Sequence, residues 1–127
     1  MSVELDPSHF DANCMYNGPA SKLMILFYSM GCGHCKTYHP KYKEAAAIGS
    51  QGVLFTECNT SDGKYSGLLQ NIRGEKSPFS FQGVPTVVCY SGQQYYSTYA
   101  PSDSNFRTPE DTILYANGIG SADITYV

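Results

Sequence analysis

The chain has 127 residues, of which 42% are hydrophobic and 15% are charged, and its formal net charge at pH 7 is −3. This composition is typical of one folded domain, and we predict a single domain over 1–127 with a core of about 3–117 and an unassigned tail at 118–127. Because the sequence contains no run of like charges and no apolar run long enough to span a bilayer, we expect it to bind neither nucleic acid nor a membrane.

The N-terminal segment, MSVELDPSHFDANC, has no basic region followed by an apolar one. The sequence therefore predicts no secretory signal peptide. This favours a cytoplasmic location, or a virion or other non-secreted one, over the lumen of the endoplasmic reticulum.

Apolar runs and turn residues predict strands and helices that alternate along the chain. In chain order we expect a strand at Val3–Leu5, a helix from Asp6 or Ser8 to about Cys14, a strand at Leu23–Tyr28, a helix from the CxxC motif to Ile48, a strand at Val53–Glu57, a helix over about Ser61–Ile72, a hairpin of Thr86–Tyr90 with Gln94–Tyr99, and a helix at Pro109–Ala116. Strands that alternate with helices and end in a hairpin predict an α/β fold, a mixed sheet with helices on both faces. Pro40 is expected to kink the long helix, and Gly49 to end it.

Two cysteines flank a Gly-His pair directly after the apolar strand Leu23–Tyr28. This transition from strand to helix places Cys32 at the helix N-terminus, where unpaired N–H groups and the helix dipole stabilise an anion. Because the thiolate is the nucleophile in disulfide exchange, this position activates Cys32. Cys35 lies one turn deeper and can close a disulfide with it. We therefore predict an asymmetric pair in which Cys32 attacks and Cys35 resolves.

His34, between the two cysteines, is interpreted as a residue that stabilises the Cys32 thiolate when it is protonated, which makes the couple a better oxidant. The alternative is a solvated surface histidine. A metal site is another alternative, because Cys32, Cys35 and His39 have ligand-like spacing. A closed zinc site needs four ligands, however, and the sequence has no second CxxC motif.

The remaining cysteines show no such spacing. The total of five is odd, which argues against a closed disulfide framework. Cys14, Cys58 and Cys89 are expected to be small buried hydrophobic residues.

The segment Cys32-Gly-His-Cys35-Lys36, with Pro40, Tyr42 and Ala45-Ala46 after it, resembles the catalytic domain of protein disulfide isomerases in the thioredoxin family. Gly83-Val-Pro-Thr86 resembles the cis-proline loop of that family, and the resemblance extends from about Val3 to Ala116. It implies a thioredoxin-like fold and a thiol–disulfide oxidoreductase that needs no cofactor or metal.

The resemblance also implies partners and further site residues. The expected partners are protein substrates with thiols or disulfides, and a redox partner such as glutathione or a reductase. Gly33, His34 and His39 would tune the active site. Pro85 would be cis beside Cys32, and the backbone of Val84 would pair with a substrate peptide.

The sequence departs from the family pattern where the family has a buried charge pair. The family places an acid six residues before the first cysteine, where this chain has Leu26, and we assign the position of its lysine partner to Thr56. The family acid is thought to relay the proton of the second cysteine. We hypothesise that His39 replaces it, since it is predicted to share an inward helical face with Cys35; the alternative is a packed histidine with no role in turnover. That face comprises Cys35, His39, Tyr42 and Ala46.

Other departures concern the surroundings of the motif. Gly31 stands where the family has a tryptophan, so Cys32 should be less shielded. Arg107 matches an arginine that in isomerase domains moves toward the second cysteine, although a solvated loop arginine is the alternative. Phe79 and Phe81, in a long loop before the cis-proline, are expected to border an apolar substrate groove or to cover the end of the sheet.

A second function remains open on the same fold, a peptide-binding or chaperone-like module whose redox couple turns over slowly. The absence of a charge pair at Leu26 and Thr56 favours that alternative. The direction of electron transfer is also open, because the Gly-His pair favours an isomerase and the apparent absence of a signal peptide favours a reductase.

Overall fold

The computed structural model describes residues 1–81, 83–101 and 108–120. Its elements are β1 (Val3–Glu4), β2 (Lys22–Tyr28), α1 (Gly33–Ile48), β3 (Val53–Asn59), α2 (Ser66–Ile72), β4 (Thr86–Ser91), β5 (Gln94–Tyr99) and α3 (Pro109–Asn117), with short 3-10 turns at Pro7–His9 and Gly63–Tyr65. The predicted α/β fold is confirmed, and most predicted elements lie within a few residues of the observed bounds.

The strands form one mixed sheet in the order β1-β3-β2-β4-β5. β1 and β2 pair with β3 in parallel, whereas β4 pairs with β2 and with β5 in antiparallel fashion. β2 therefore occupies the centre, and its residues Leu23–Phe27 are all buried. The continuous apolar run predicted this, because a strand covered on both faces has no solvated side.

Helices cover both faces of the sheet and make two cores. On one face Met24 and Leu26 of β2 pack with Tyr42 of α1 and Ala116 of α3. On the other face Phe27 and its alternate neighbours on β2 pack with α2. Since successive side chains of a strand point to opposite faces, β2 packs against α1 on one face and against α2 on the other.

Helix α1 begins directly after Cys32 and ends at Gly49, whose φ of 85° is a left-handed conformation that glycine adopts without steric cost. Pro40 lies inside the helix on its exposed side. Because proline has no N–H, the carbonyl of Lys36 loses its helical partner, and water can replace it at this surface. Gly49 ends the helix as predicted.

The predicted helix from Asp6 or Ser8 to about Cys14 is wrong. Only Pro7–His9 form a 3-10 turn, and residues 10 and 16 then form an antiparallel bridge. The Asp11 carboxylate accepts hydrogen bonds from the backbone N–H groups of Asn13 and Met15 at 2.9 and 3.0 Å. Aspartate that binds its own following backbone in this way competes with helix formation, and the chain turns instead.

The core extends slightly beyond its predicted limit. Ile119, placed in the unassigned tail, is fully buried against the α1 face of the sheet. The tail from residue 121 onward lies outside the described residues, and so does Arg107, which precedes α3. Within the described ranges, none of the helices has both the length and the apolar character that crossing a bilayer requires.

We predict that Tyr42→Phe lowers the free energy of unfolding by about 1–2 kcal/mol. The Tyr42 hydroxyl, fully buried, donates to the carbonyl of Thr56 at 2.8 Å and lies 3.2 Å from that of Met24, so it links α1 to two central strands. Urea denaturation measures the change. The matched control is Tyr95→Phe, whose hydroxyl is half-buried near Thr98 and should cost less; equal losses would contradict the assignment.

Candidate active site

Cys32 is the N-cap residue of α1. Its backbone is extended, with φ −89° and ψ 123°, and its sulfur accepts a hydrogen bond from the backbone N–H of Cys35 at 3.2 Å. The sulfur thus occupies the position where a capping oxygen usually satisfies a free N–H group. The predicted placement of Cys32 at the helix N-terminus is confirmed, and the N–H groups there favour a negative charge on sulfur.

Cys35 lies one turn inside the helix and is only 2% exposed. Burial, together with a hydrogen bond to the Cys32 sulfur, raises the pKa of the Cys35 thiol to about 11. Both cysteines are free thiols in this structure. The predicted asymmetry is therefore present, because the Cys32 sulfur is partly exposed and accepts a backbone N–H, while the Cys35 thiol is buried and protonated at neutral pH.

The residues between and before the cysteines leave the site open. Gly33 and His34 are both exposed. A Cβ added at Gly31 or at Gly33 would meet no atom within 4 Å. The segment therefore leaves space for a substrate to approach Cys32, and the position of Gly31 agrees with the expectation of reduced shielding.

The loop before β4 lies against Cys32. The Val84–Pro85 peptide bond is cis, and the Cys32 thiol donates to the carbonyl of Val84 at 3.3 Å. The Thr86 hydroxyl donates to the carbonyl of Gly83 at 2.6 Å and holds the loop closed. The structure thus brings Val84 and Pro85 next to Cys32, as the resemblance implied.

Two depressions flank this loop. One, of about 200 Å³, lies toward α2 and includes Arg73; the other, of about 530 Å³, lies toward β5. Phe81 and Val84 line both depressions. Phe79 does not border the groove: its ring is buried in the core and stacks on Tyr95 of β5 at 5.2 Å between centroids, which fits the alternative that it covers the sheet. Phe81 is half-buried and borders the groove.

The expected position of the second charge-pair residue is also wrong. Leu26 is in register with Glu57 of β3 and not with Thr56, whose hydroxyl donates to the carbonyl of Met24 at 2.9 Å. Neighbouring residues of a parallel pair point to the same face, so the Glu57 side chain lies beside Leu26 on the α1 side. The chain therefore has a largely buried carboxylate here, on β3 instead of β2.

Glu57 is 8% exposed and has three hydrogen-bond donors. His39 contacts one carboxylate oxygen at 2.5 Å, Lys43 contacts the other at 3.0 Å, and the Ser2 hydroxyl also donates to it. Burial raises the pKa of Glu57, but the hydrogen bonds from Ser2, His39 and Lys43 outweigh it and hold the pKa below its ordinary value. Glu57 is therefore an anion at neutral pH.

Sequence reasoning missed Glu57, although one signal was available. Glu57 continues the alternation of Val53 and Phe55, which are apolar residues on the face that packs against α1. A charged residue in that phase of a buried strand needs a partner, and α1 was the element that could supply one.

His39 lies at the edge of the inward face of α1. Three members of the predicted face, Cys35, Tyr42 and Ala46, are buried, and the His39 side chain is 22% exposed. Its ring packs on that of Tyr28, with centroids 4.3 Å apart. His39 thus approaches β2 and β3 near Leu26, as expected, but its polar contact is Glu57.

No three His, Cys, Asp or Glu side chains converge to hold a metal ion among residues 1–81, 83–101 and 108–120. The alternative in which Cys32, Cys35 and His39 are ligands therefore has no geometric support there. Cys14, Cys58 and Cys89 are fully buried, which confirms the expectation for them, and burial raises the pKa of each thiol.

A mixed five-stranded sheet, with a dithiol at the start of α1 and a cis-proline loop against it, defines a protein of the thioredoxin fold. The thioredoxin family model matches residues 1–105, and the chain belongs to the thioredoxin family. The predicted family is confirmed, and its members are thiol–disulfide oxidoreductases that act on protein thiols.

Relatives of both kinds, thioredoxin and isomerase, are found. The thioredoxin of Peptoclostridium acidaminophilum is 28% identical over 102 residues, which are 80% of this chain and 83% of that protein. The protein disulfide-isomerase of Saccharomyces cerevisiae is 29% identical over 79 residues, which are 60% of this chain and 13% of that protein. The chain therefore spans a small part of that isomerase.

Solved structures show the same fold. Thioredoxin f from spinach chloroplast superposes with a TM-score of 0.62 at 16% identity, over 91% of this chain and 83% of that one. The Trx4 domain of ERdj5 superposes with a TM-score of 0.64 at 16% identity, over 92% and 93% of the two chains.

We predict that Glu57→Gln lowers the free energy of unfolding at pH 7 by about 1–3 kcal/mol, because charge-assisted hydrogen bonds are lost. The folded-state pKa of Glu57 is lowered, so its contribution is present above its ordinary pKa of 4.5 and is lost as the pH falls through the folded value. Urea denaturation from pH 7 to pH 3 should show the two proteins converging. Groups that do not contact Glu57 titrate in both proteins and cancel; a difference that persists unchanged at pH 3 would contradict the assignment.

Proposed function

We propose that this protein is a thiol–disulfide oxidoreductase that exchanges disulfides with protein substrates through Cys32 and Cys35, in the manner of protein disulfide isomerases. The observation that carries the proposal is the contrast between the two sulfurs. One is partly exposed, capped by an N–H donor and open to substrate, and the other is buried beside it.

In the reductive direction, the Cys32 thiolate attacks one sulfur of a substrate disulfide. A Cys32–substrate disulfide forms, and the other substrate sulfur leaves as a thiolate that takes up a proton. Cys35 then loses its proton and attacks Cys32. The Cys32–Cys35 disulfide forms, and the first substrate sulfur leaves with its electron pair and is protonated. Oxidation of a substrate dithiol is the reverse sequence.

His34 supports an oxidising or isomerising role. It is exposed in the first turn of α1, next to Cys32, and as a cation it would stabilise the thiolate and thus the reduced form. Thioredoxin and isomerase potentials differ by roughly 90 mV, or about 4 kcal/mol for two electrons. Glutathione or a protein reductase would restore the working state, and a non-secreted location stays a prediction.

The substrate would bind along the loop at Val84 and Pro85. An extended peptide can pair with an exposed backbone edge, and its side chains then point alternately to either side. The two depressions that share Phe81 and Val84 would receive such side chains.

We expect the wild-type protein to reduce insulin with dithiothreitol as electron donor, and Cys32→Ser to lose this activity down to the uncatalysed rate, because no nucleophile remains. Cys35→Ser should accumulate a mixed disulfide with insulin, detected by mass spectrometry under non-reducing conditions. Turbidity of the precipitating insulin B chain measures the turnover.

The control is Cys58→Ser, a buried thiol outside the site, which should retain activity if it folds. A wild-type protein that binds unfolded insulin without reducing it would contradict the oxidoreductase and favour the chaperone-like module. A mixed disulfide on Cys35 in the Cys32→Ser variant would contradict the assigned order of attack.

We predict that Phe81→Ala weakens the capture of apolar peptides by about fivefold to tenfold, because an aromatic wall common to both depressions is lost. The measurement is the KM for fluorescent disulfide peptides that differ in one apolar or charged residue beside the cysteine. A KM that is unchanged for every peptide would contradict this role. Phe79→Leu is the control, since that ring is buried and should affect stability more than KM.

A further inference from the structure

Resolution of the mixed disulfide requires Cys35 to lose a proton in a buried place. Burial, the largest cause that raises the pKa of the Cys35 thiol, persists when Cys32 is bound to substrate, so most of the Cys35 is protonated at pH 7. Because the thiolate is the attacking species, resolution at neutral pH is slow unless a group nearby accepts that proton. Leu26, in the sheet behind α1, has no titratable group.

Glu57 is anionic but is not itself a suitable acceptor. Both of its oxygens already accept hydrogen bonds, one from His39 and the other from Lys43 and Ser2. These donors hold its pKa below the ordinary value, so its affinity for a further proton is low. Glu57 instead determines which nitrogen of the His39 ring carries the hydrogen.

An ionised carboxylate can only accept hydrogen bonds, so the contact of 2.5 Å requires a hydrogen on the Nε2 atom of His39. In the neutral ring, Nδ1 is then the nitrogen with a free lone pair. Glu57 thereby selects one tautomer, and the packing of the ring on Tyr28 restricts its plane.

The helix geometry directs His39 toward Cys35. Side chains of an α-helix lean toward its N-terminus and cover the preceding turn. Cys35 is four residues before His39, on the same face. We therefore infer that the His39 ring leans toward the turn that carries the buried thiol. The ring is partly exposed, so a proton that it receives can pass on to water.

We propose that Glu57 is a positioning residue that holds His39, through its Nε2–H, as the proton acceptor for Cys35. This rests on the proposed function and applies to its second step. The Cys35 proton moves to Nδ1 of His39, and the Cys35 sulfur bonds to the Cys32 sulfur. The bond between Cys32 and the substrate breaks, and the departing substrate sulfur takes a proton from solvent. The protonated His39 ring then releases its proton to water.

The groups that face Glu57 come from three elements. Lys43 and His39 extend from α1, Ser2 precedes β1, and Tyr28 ends β2. Lys43 therefore offers a matched control. Its substitution removes a cation from the same carboxylate while the contact between Glu57 and His39 is retained.

The test is stopped-flow reaction of the reduced protein with 5,5′-dithiobis(2-nitrobenzoic acid), which releases one coloured thiolate for each step. The first release reports the attack by Cys32, and the second reports resolution by Cys35. We expect His39→Gln to slow the second release at pH 7 by about tenfold to hundredfold, and Glu57→Gln by about tenfold, with the first release within about twofold of wild type. Lys43→Gln should leave both releases within about twofold.

The pH profile separates proton transfer from a structural effect. Without an acceptor, the second rate should follow the Cys35 thiolate and rise about tenfold per pH unit from pH 7 until Cys35 titrates, whereas the wild-type rate should rise less steeply. If His39→Gln keeps both the wild-type rate and the wild-type slope, the acceptor role is overturned. If only Glu57→Gln behaves like wild type, the positioning role of Glu57 is overturned.

Circular dichroism shows which variants fold. If either His39→Gln or Glu57→Gln does not fold, the rate and the pH slope of the second release in the other variant decide. A wild-type protein that never releases the second thiolate overturns the proposed function and this inference with it. Equal second phases in wild type and in the folded variants overturn this inference alone.

Discussion

The site depends on one hydrogen bond, from the backbone N–H of Cys35 to the sulfur of Cys32. It makes the sulfur the cap of α1, so the helix begins at the reacting atom and its N-terminal N–H groups face a developing thiolate. The other features of the site follow from this contact. The buried strand β2 sets where α1 begins, the helix places Cys35 one turn below, and the loop before β4 supplies the carbonyl that the thiol contacts. Moving the start of α1 by one residue would separate all three.

The carboxylate behind the dithiol lies on a different strand from the one that the family resemblance indicates. A second acid at Leu26 would stand next to Glu57 in register, and two carboxylates side by side in a core repel each other. An acid at position 57 therefore favours an apolar residue at position 26. His39 and Lys43, one turn apart on α1, then supply the donors that the acid needs. The apparent loss of a charge pair is thus a rearrangement of the buried polar groups between β3 and α1, and it weakens the reason for expecting a redox-slow module.

Prediction from the sequence succeeded where a single local pattern determines the structure. A continuous apolar run predicted the central strand β2, and the dithiol with Val84-Pro85-Thr86 predicted the facing halves of the site. Prediction failed where a local contact competes with periodicity, as at Asp11, whose carboxylate takes the N–H groups that a helix would need. It failed again where the pairing register of two strands determines which side chains are neighbours. Strand spacing alone does not tell whether Thr56 or Glu57 pairs with Leu26, and a shift of one residue moves each side chain of β3 to the opposite face of the sheet. Phe79 and Phe81 show the same limit, since the sequence does not tell that Phe79 packs in the core and that Phe81 borders the groove.

The most direct measurement of the central claim is the alkylation of the native protein by iodoacetamide at pH 7, with the modified cysteine located by mass spectrometry. We predict that Cys32 is modified first, about tenfold or more faster than cysteine in the denatured chain, while Cys35 stays unmodified because its thiol is buried and protonated. A Cys32 that reacts no faster than the denatured reference, or a Cys35 that is labelled before it, would contradict the account.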